Sequence, residues 1–366
     1  MRHILVTGGA GFIGSNFVRY WHREYPADVI VVLDALTYAG NLSTIGDLLS
    51  SRQMHFVHGD IVDRTTVAHT MEQHAIDTVV HFAAESHVDR SIVTPDVFVR
   101  TNVLGTQVLL QAAVQAWKGS GEWKKDVRFH HISTDEVYGA LEPNDLPFTE
   151  SSPYTPRSPY AASKAGADHL VRAYMHTYQL PATISNCSNN YGPYQFPEKL
   201  IPLMIVNALE GRSLPVYGDG RQVRDWLHID DHCEALDRIL SADVAGETFN
   251  IGGLGEHVNI ELVGMLCGIL DERFSRDATL ASRFPGCPAA RGESCNSLIA
   301  HVTDRPGHDR RYAIDASHLA STLGFKPRRT LQSGLADTVD WYLGNEEWWR
   351  GVMDGSYREW TTTHYG

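Results

Sequence analysis

Short apolar runs alternate with longer segments of helical periodicity through the first half of the chain. Ile4, Leu5 and Val6 form the first such run, and from Phe12 to Tyr25 apolar residues recur at the spacing of one helix face. The same patterns repeat: strands are predicted at residues 29–33, 54–57, 78–82, 127–132 and 182–186, and long helices at 97–117 and 158–178. This alternation predicts a doubly wound, parallel α/β sheet of the Rossmann type with helices on both faces.

The pattern changes after residue 190, where a loop rich in turn formers and aromatic residues leads into shorter elements. We therefore expect a first domain over residues 1–190 and a smaller, mixed α/β lobe over 191–366. Segments near 225–255 are expected to return to the first domain, because 247–251 reads as a strand of the main sheet. Residues 271–300 are polar and have no clear period, which predicts a surface insertion.

A glycine-rich turn joins the first strand to the first helix, and it fits both Gly9-x-Gly11-x-x-Gly14 and Gly8-x-x-Gly11-x-x-Gly14. Glycines there let the backbone approach a phosphate, and the helix N-terminus supplies free N–H groups and a positive dipole end. The second strand ends in Asp34, about 20 residues later, where a carboxylate can bind an adenosine ribose. The alternative is a tight turn with an N-capping acid nearby, but the order of strand, glycines, helix, strand and acid favours a dinucleotide site.

Asp34 also indicates which dinucleotide binds. A carboxylate repels a 2′-phosphate, and residues 35–38 contain no Arg to neutralise one. The sequence therefore predicts NAD rather than NADP as cofactor. Further polar residues follow the predicted strands, at the edge of the sheet where ligands of such folds bind: Asp60, Ser86, Ser133, Thr134 and Asn189.

The bulk composition is that of an ordinary globular protein, with 43% hydrophobic and 20% charged residues among 366. No apolar run approaches the roughly 20 residues that span a membrane, and the first strand starts at His3, so we expect neither a membrane partner nor a signal peptide. Five cysteines without a C-x-x-C pattern predict reduced thiols in a cytoplasmic protein. A net charge of −13 argues against a nucleic-acid partner.

Tyr160 and Lys164 lie one helical turn apart at the start of a long predicted helix. A neighbouring ammonium favours the phenolate, so we expect a lowered tyrosine pKa, which suits a general base. The alternative is an exposed helical pair without a function. His228 and His232 are also four residues apart, but they fall on a predicted strand and a helix start, so a packed or surface role is favoured and no metal site is predicted.

The glycine-rich turn, Ser133-Thr134 and Tyr160-x-x-x-Lys164 together resemble the extended short-chain dehydrogenase/reductase family over nearly the whole chain. The resemblance implies that Tyr160 is the base that removes a hydroxyl proton, that Lys164 holds the nicotinamide ribose and that Thr134 orients the reacting hydroxyl.

Two adjacent carboxylates, Asp135 and Glu136, follow the strand that ends in Thr134. They are not needed for simple hydride transfer but suit a reaction with separate acid and base steps; the alternative is a solvated acidic turn. With the motifs at 83–91, 186–200 and 304–312, they resemble the dTDP-glucose 4,6-dehydratase family. That resemblance implies oxidation at C4 of dTDP-glucose, removal of the C5 proton by Glu136, protonation of the departing C6 hydroxyl by Asp135, and return of the hydride to C6, with NAD held tightly throughout.

The resemblance also implies two sets of binding residues. The cofactor set is Gly8, Gly11, Phe12, Ile13, Gly14, Asp34, Leu36, Thr37, Asp60, Ile61, Ala83, Ala84, Ser86, Thr101, Ser133, Tyr160, Lys164 and Asn190. The substrate set is Ser86, Thr134, Asn189, Lys199, Leu200, Pro215, Tyr217, Arg224, Asn259, Arg305 and His308, with Lys199 and Arg224 expected on the diphosphate.

Two other functions remain open at this point. A nucleotide-sugar 4-epimerase would return the hydride to C4 and need no acid/base pair, which Asp135 and Glu136 argue against. A non-catalytic NAD-binding regulator could dispense with Tyr160 and Lys164, and this sequence keeps both. The helices predicted at 97–117 and 158–178 could pair across a two-fold axis as a four-helix bundle, so we expect a homodimer.

Overall fold

Seven parallel strands form the main sheet of the computed structural model, which describes residues 1–118, 121–304 and 307–353. The strand order is β10-β6-β5-β4-β1-β2-β3. These strands are β1 His3–Thr7, β2 Val29–Asp34, β3 Met54–His58, β4 Thr78–His81, β5 Arg128–Thr134, β6 Ala182–Cys187 and β10 Thr248–Ile251. The doubly wound fold and the return of the segment near 250 to this sheet are as predicted.

Helices cover both faces of the sheet because its strands are apolar on both sides. On one face α1 packs against α8, and on the other α2, α5 and α6 pack together. The helices are α1 Phe12–Glu24, α2 Arg64–Gln73, α3 Val88–Val93, α4 Pro95–Phe98, α5 Thr106–Trp117, α6 Pro159–Tyr178, α7 Leu200–Leu209, α8 Ile229–Ser241, α9 Asn259–Arg276, α10 Thr279–Arg283, α11 Ser317–Leu323, α12 Leu331–Gly344 and α13 Glu346–Val352.

The second half of the chain builds a separate hydrophobic core around α7, α9 and α12. Two small sheets flank it: β7 Asn189–Tyr191, β9 Val223–His228 and β11 Glu256–Val258 form one, and β8 Leu214–Tyr217 and β12 Ile299–Val302 the other. Because β7 continues directly from the end of β6, this core sits beside the carboxyl ends of the main-sheet strands. The two halves therefore meet at the edge where the polar residues were predicted to collect.

The prediction of an irregular surface insertion at 271–300 is wrong in part. The segment contains the end of α9, all of α10 and two short 3₁₀ turns. Leu280, Phe284, Cys287 and Cys295 are buried in the core of the second half, so the segment is anchored by packing. The polar residues between these anchors hid them from a periodicity analysis. All five cysteines are free and buried, and the Sγ atoms of Cys287 and Cys295 lie 3.6 Å apart.

A continuous helical run from Pro95 to Trp117 corrects the expectation that no apolar stretch reaches membrane-spanning length. It comprises α4, a π-helical turn at Val99–Gly105, and α5. The run has 23 residues, and an 18-residue window within it has a mean hydropathy of 1.2, which is long and apolar enough to cross a membrane. Half of that stretch is buried inside the fold, and helices at the core of globular proteins have the same length and composition.

Candidate functional site

A cavity of about 400 Å³ opens at the carboxyl ends of β1, β4, β5 and β6. The strand order places it beside the point where β1 has β2 on one side and β4 on the other, which is where ligands of doubly wound sheets bind. All five predicted catalytic residues line it: Thr134, Asp135, Glu136, Tyr160 and Lys164. Of the predicted cofactor residues, all except Leu36 line it as well.

The glycine turn forms one wall of the cavity. Gly8 has a φ of +71°, and a Cβ on Gly14 would lie 2.3 Å from the Gly8 carbonyl oxygen, so neither position accepts a side chain without strain. Gly9 instead packs against Val32, outside the lining. Of the two glycine patterns that the sequence allowed, Gly8-x-x-Gly11-x-x-Gly14 therefore faces the cavity, at the N-terminus of α1.

Asp34 lies at the end of β2 with its carboxylate held by the backbone. Its Oδ2 accepts the Ala10 N–H at 2.9 Å and its Oδ1 accepts the Leu36 N–H at 2.8 Å. Burial raises the pKa of Asp34, and these two hydrogen bonds oppose that rise. Leu36 thus acts through its backbone, which explains why its side chain is absent from the lining. A cradle of glycines without room for a Cβ, facing a fixed carboxylate, fits NAD.

Tyr160 and Lys164 lie on the first turns of α6, where Ser158 caps the helix by accepting the Ala161 N–H at 3.0 Å. Both side chains are buried, which rules out an exposed helical pair. The expectation of a lowered tyrosine pKa is wrong for this arrangement: burial raises the pKa of Tyr160, and the charge of Glu136 raises it further. Lys164 Nζ donates to the Ile132 carbonyl at 2.7 Å.

Asp135 and Glu136 sit in a 3₁₀ turn directly after β5. Thr134 Oγ1 orders this turn, since it accepts the Glu136 N–H and donates to Asp135 Oδ1, both at 3.3 Å. Asp135 is only 3% exposed, so the alternative of a solvated acidic turn is excluded for it. Burial, and then the charge of Glu136, raises the pKa of Asp135 to about 8, whereas the charge of Arg224 opposes the rise.

The predicted substrate residues divide into two groups. Ser86, Thr134, Asn189, Lys199 and Leu200 line the cavity, and Lys199 Nζ donates to the Ser86 carbonyl at 3.1 Å. Arg224 lies outside the lining of this cavity, and its assignment to the diphosphate stays a prediction. Its guanidinium stacks 4.3 Å from the ring centre of Tyr312 and donates to the Asp309 carbonyl at 2.9 Å.

A second polar group contains most of the remaining substrate residues, also outside the lining. The His308 ring stands 5.8 Å from that of Tyr217, and its Nδ1 is 2.6 Å from Asp304 Oδ1. Gln222 links this group to Asn259, because its side chain donates to Asp304 at 3.0 Å while its carbonyl accepts the Asn259 N–H at 3.0 Å. Pro215 precedes Tyr217 on β8. Arg305 lies outside the described residues.

His228 and His232 are both buried, and their rings contact different partners. His228 Nδ1 accepts the Asp230 N–H at 3.2 Å, and His232 Nδ1 lies 2.8 Å from Asn190 Oδ1. Burial lowers the pKa of His228 to about 4 and that of His232 to about 3. Within the described ranges, no group of three or more His, Cys, Asp or Glu side chains is arranged to hold a metal ion.

Glu198 is a site residue that sequence reasoning missed. It lines the cavity although it is 5% exposed, and it accepts the Tyr38 hydroxyl at 3.1 Å. Burial raises its pKa, and the charge of Lys199 opposes the rise. The available signal was a carboxylate and an ammonium side by side just before the apolar helix α7. Tyr312 was missed too: it contacts Arg224, and burial, followed by the charge of Glu136, raises its pKa.

Comparison with known proteins places this geometry among nucleotide-sugar enzymes. Residues 5–338 match the family described as GDP-mannose 4,6 dehydratase. A dTDP-glucose 4,6-dehydratase from Xanthomonas campestris is 54% identical over 355 residues, covering 97% of each chain. One from Salmonella typhimurium is 50% identical over 371 residues, covering 99% of this chain and 98% of the other.

Solved structures of two kinds of enzyme, dehydratases and epimerases, have the same fold as this chain. A dTDP-glucose 4,6-dehydratase from Streptomyces venezuelae, solved with NAD bound, superposes with a TM-score of 0.83 at 47% identity and covers 96% of this chain and 99% of the other. A UDP-glucose 4-epimerase from Thermotoga maritima superposes with a TM-score of 0.79 at 25% identity, covering 94% of this chain and 99% of that one. The fold is common to both, and the sequence is much more similar to that of the dehydratases.

Proposed function

This chain belongs to the dTDP-glucose 4,6-dehydratase family, and on that premise we propose that it converts dTDP-glucose to dTDP-4-keto-6-deoxyglucose. The observation that carries the proposal is the buried acid Asp135, which lies beside Glu136 in the same cavity as Tyr160 and Lys164. A carboxyl that keeps its proton next to one placed to act as a base is what elimination of water across C5 and C6 requires.

NAD is the cofactor of this reaction, and when bound it would supply the acceptor and donor of the hydride and a positive charge. The glycine turn and Asp34 would hold its adenosine end, and Lys164 would hold the nicotinamide ribose. Tyr160 removes the proton of the C4 hydroxyl, a role that its high pKa permits only while positive charge is close by. Thr134 orients that hydroxyl.

The two carboxyl groups divide the elimination of water between them, and return of the hydride to C6 and of a proton to C5 would then complete the product. Glu136 removes the C5 proton, which the 4-ketone has made acidic. Asp135 donates its proton to the departing C6 hydroxyl, and its pKa of about 8 keeps it in the acid form at neutral pH. The proton that leaves C5 and the one that reaches the hydroxyl are thus handled by different groups, which explains why the site contains two carboxylates.

Substrate binding is assigned to the cavity wall contributed by the second half of the chain. Lys199 and Asn189 both line the cavity, and Lys199 is assigned to the diphosphate of the substrate. Arg224, whose guanidinium stacks on Tyr312, is assigned with Lys199 to the diphosphate, and its charge also opposes the rise in the pKa of Asp135. Tyr217, Asn259 and His308 form the nucleotide end.

We further propose a homodimer formed through the helical surface at 95–104. Apolar side chains stand exposed along it: Val97 is 40%, Val99 is 55% and Leu104 is 43% exposed. Val99 and Leu104, together with Val103 and with Leu170 on α6, line a shallow apolar depression, which favours a second copy of the same two helices across a two-fold axis. A monomer mass at micromolar concentration by light scattering would contradict this.

The five free, buried thiols support a cytoplasmic location, where thiols stay reduced. Fractionation of the producing cells tests this: recovery of the enzyme in the cytoplasmic fraction is expected, and recovery from an oxidising compartment with a disulfide between Cys287 and Cys295 would contradict it.

Incubation with dTDP-glucose tests the activity. We expect the absorbance of a 4-keto sugar nucleotide in alkali, without added NAD, and no such product from Tyr160→Phe. A 4-epimerase would instead give dTDP-galactose and no 4-keto product, and an NAD-binding regulator would leave the substrate unchanged. Either of these outcomes would overturn the proposal.

A further inference from the structure

The catalytic helix carries a third charged residue that the mechanism above does not use. Tyr160, Lys164 and Asp168 are spaced at intervals of four on α6, so they share one face of the helix. Asp168 is completely buried. A carboxylate without exposure to water is costly unless its charge and its lone pairs are both matched, so its surroundings indicate what it does.

Four donors surround the Asp168 carboxylate. Ser133 Oγ donates to Oδ2 at 2.7 Å, and the Tyr154 hydroxyl donates to the same oxygen at 2.9 Å. His131 Nε2 lies 3.1 Å from Oδ1, and Asn186 Nδ2 lies 3.5 Å from Oδ2. Ser133 and Asn186 pair across β5 and β6, next to Thr134, so the carboxylate is tied to the strand ends that carry the reacting groups.

The charges around Lys164 make Asp168 the anion on which the ammonium depends. Burial lowers the pKa of Lys164, and Asp168 is the strongest of the groups that oppose this in the described part of the chain. The other titratable groups facing Lys164 carry no charge near neutral pH. Burial lowers the pKa of His131 to about 4 and that of His81 well below its usual value, and burial raises the pKa of Cys187 to about 12.

Asp168 itself stays ionised. Burial raises its pKa, but the hydrogen bond from His131, the charge of Lys164 and the hydrogen bond from Ser133 outweigh burial and lower the pKa overall. His131 stands between the two charges, because its Nε2 is 3.1 Å from Asp168 Oδ1 and 3.5 Å from Lys164 Nζ. With the carboxylate accepting from Nε2–H, the ring is in the tautomer whose Nδ1 has no hydrogen, and Nδ1 has no hydrogen-bond partner among the described residues.

We propose that Asp168 is a positioning residue for the oxidation step: it is the buried counter-ion that keeps Lys164 an ammonium, and it holds Lys164 through His131 one helical turn from Tyr160. Tyr160 can act as a base only while positive charge stands close to its phenolate, so removing the Asp168 charge weakens the base without touching substrate. This inference rests on the proposed function, since it concerns the group that oxidises C4.

Asp168→Asn is a well-matched variant because the network can adapt to it. The amide oxygen can accept from Ser133 and Tyr154, and the amide N–H₂ can face His131, whose ring can move its proton to the unpartnered Nδ1. Tyr154→Phe is the control: it removes one hydrogen bond to Asp168, and the contact that Arg172 makes with the same hydroxyl at 3.1 Å, but keeps the carboxylate charge.

The kinetic test is the pH dependence of the first turnover, followed by absorbance of the reduced cofactor after rapid mixing with dTDP-glucose. Without its counter-ion the Lys164 ammonium loses its proton at lower pH. In Asp168→Asn, the fall in rate at alkaline pH should therefore begin about one pH unit or more closer to neutrality than in wild type. KM for the sugar nucleotide should change little compared with the rate. In Tyr154→Phe, the fall in rate should occur at the same pH as in wild type. If Asp168→Asn lowers the rate equally at every pH and leaves the pH of the alkaline fall unchanged, Asp168 has only a packing role.

A second readout does not depend on turnover. Asp168→Asn, Lys164→Met and the double variant are unfolded in urea, and their midpoints are compared with wild type. Each single change leaves one buried charge without its partner. The double variant should therefore lose less stability than the sum of the losses in the two single variants. Additive losses of stability would show that Asp168 and Lys164 do not interact as a pair. If wild type itself makes no 4-keto product, the proposed function fails; if wild type turns over and both tests are negative, only the role of Asp168 fails.

Discussion

Asp135 and Glu136 are neighbours in the sequence but occupy different environments: Asp135 is buried at 3% exposure, whereas Glu136 is partly accessible in the cavity. The negative charge of Glu136 is the second cause, after burial, that raises the pKa of Asp135. One carboxylate thus keeps its neighbour protonated. The acid and the base of the elimination are set apart by this arrangement rather than by residue type.

Glu136→Gln should stop the reaction between oxidation and elimination. The amide has nearly the size of the carboxylate but cannot accept the C5 proton, and loss of one general base typically costs roughly 10²–10⁴ in rate. Absorbance of the reduced cofactor should build up on the enzyme while product falls. In heavy water, deuterium at C5 should appear much more slowly than in wild type. Normal turnover with full C5 exchange would mean that another residue is the base.

The elimination step should lose rate above about pH 8. Asp135 donates a proton, and its pKa is about 8, so the acid form decreases as pH rises beyond that value. The rate of the elimination step should then fall by about tenfold per pH unit. Asp135→Asn should be slow at every pH and should lack this limb, while C5 exchange continues. A wild-type rate that stays flat to pH 10 would contradict the role of Asp135 as the acid.

Asp34→Ala should weaken cofactor binding. The change removes a charge-assisted contact worth roughly 1.5–3 kcal/mol, or about tenfold to a hundredfold in Kd. Retention of NAD through gel filtration measures the effect. Asp47→Ala is the control, because that aspartate pairs with Arg19 at the surface and lies outside the cavity. Equal retention in both variants would remove Asp34 from the cofactor site.

Gly14→Ala and Gly268→Ala should change stability in opposite directions. A Cβ on Gly14 would meet the Gly8 carbonyl oxygen at 2.3 Å, and such overpacking typically costs about 1–3 kcal/mol. Gly268 lies within α9 and a Cβ there would meet nothing within 4 Å, so the same change should stabilise the helix by roughly 0.5–1 kcal/mol. Urea unfolding measures both. A neutral Gly14→Ala would mean that the turn can relax away from the helix.

The sequence by itself determined the architecture and most of the cavity wall. The alternation of apolar strands with helices predicts a parallel sheet, and the carboxyl ends of parallel strands meet at one edge whatever the details of packing. The glycine turn, Asp34, Thr134 and the pair Tyr160 and Lys164 could therefore be placed together from their positions relative to strands and helices. Each of these placements depends only on where a residue lies relative to its own strand or helix, which the sequence pattern shows.

Only the tertiary structure decided what depends on burial and on contacts between distant segments. It placed the Arg224 guanidinium against the Tyr312 ring, brought Glu198 into the cavity beside Tyr38, and raised the pKa of Tyr160 where the sequence predicted a lowered one. Desolvation acts on a charge according to everything packed around it, and spacing along one helix reveals only one neighbour. Asp168 shows both sides: its spacing on α6 is visible in the sequence, but its partners come from other segments of the chain.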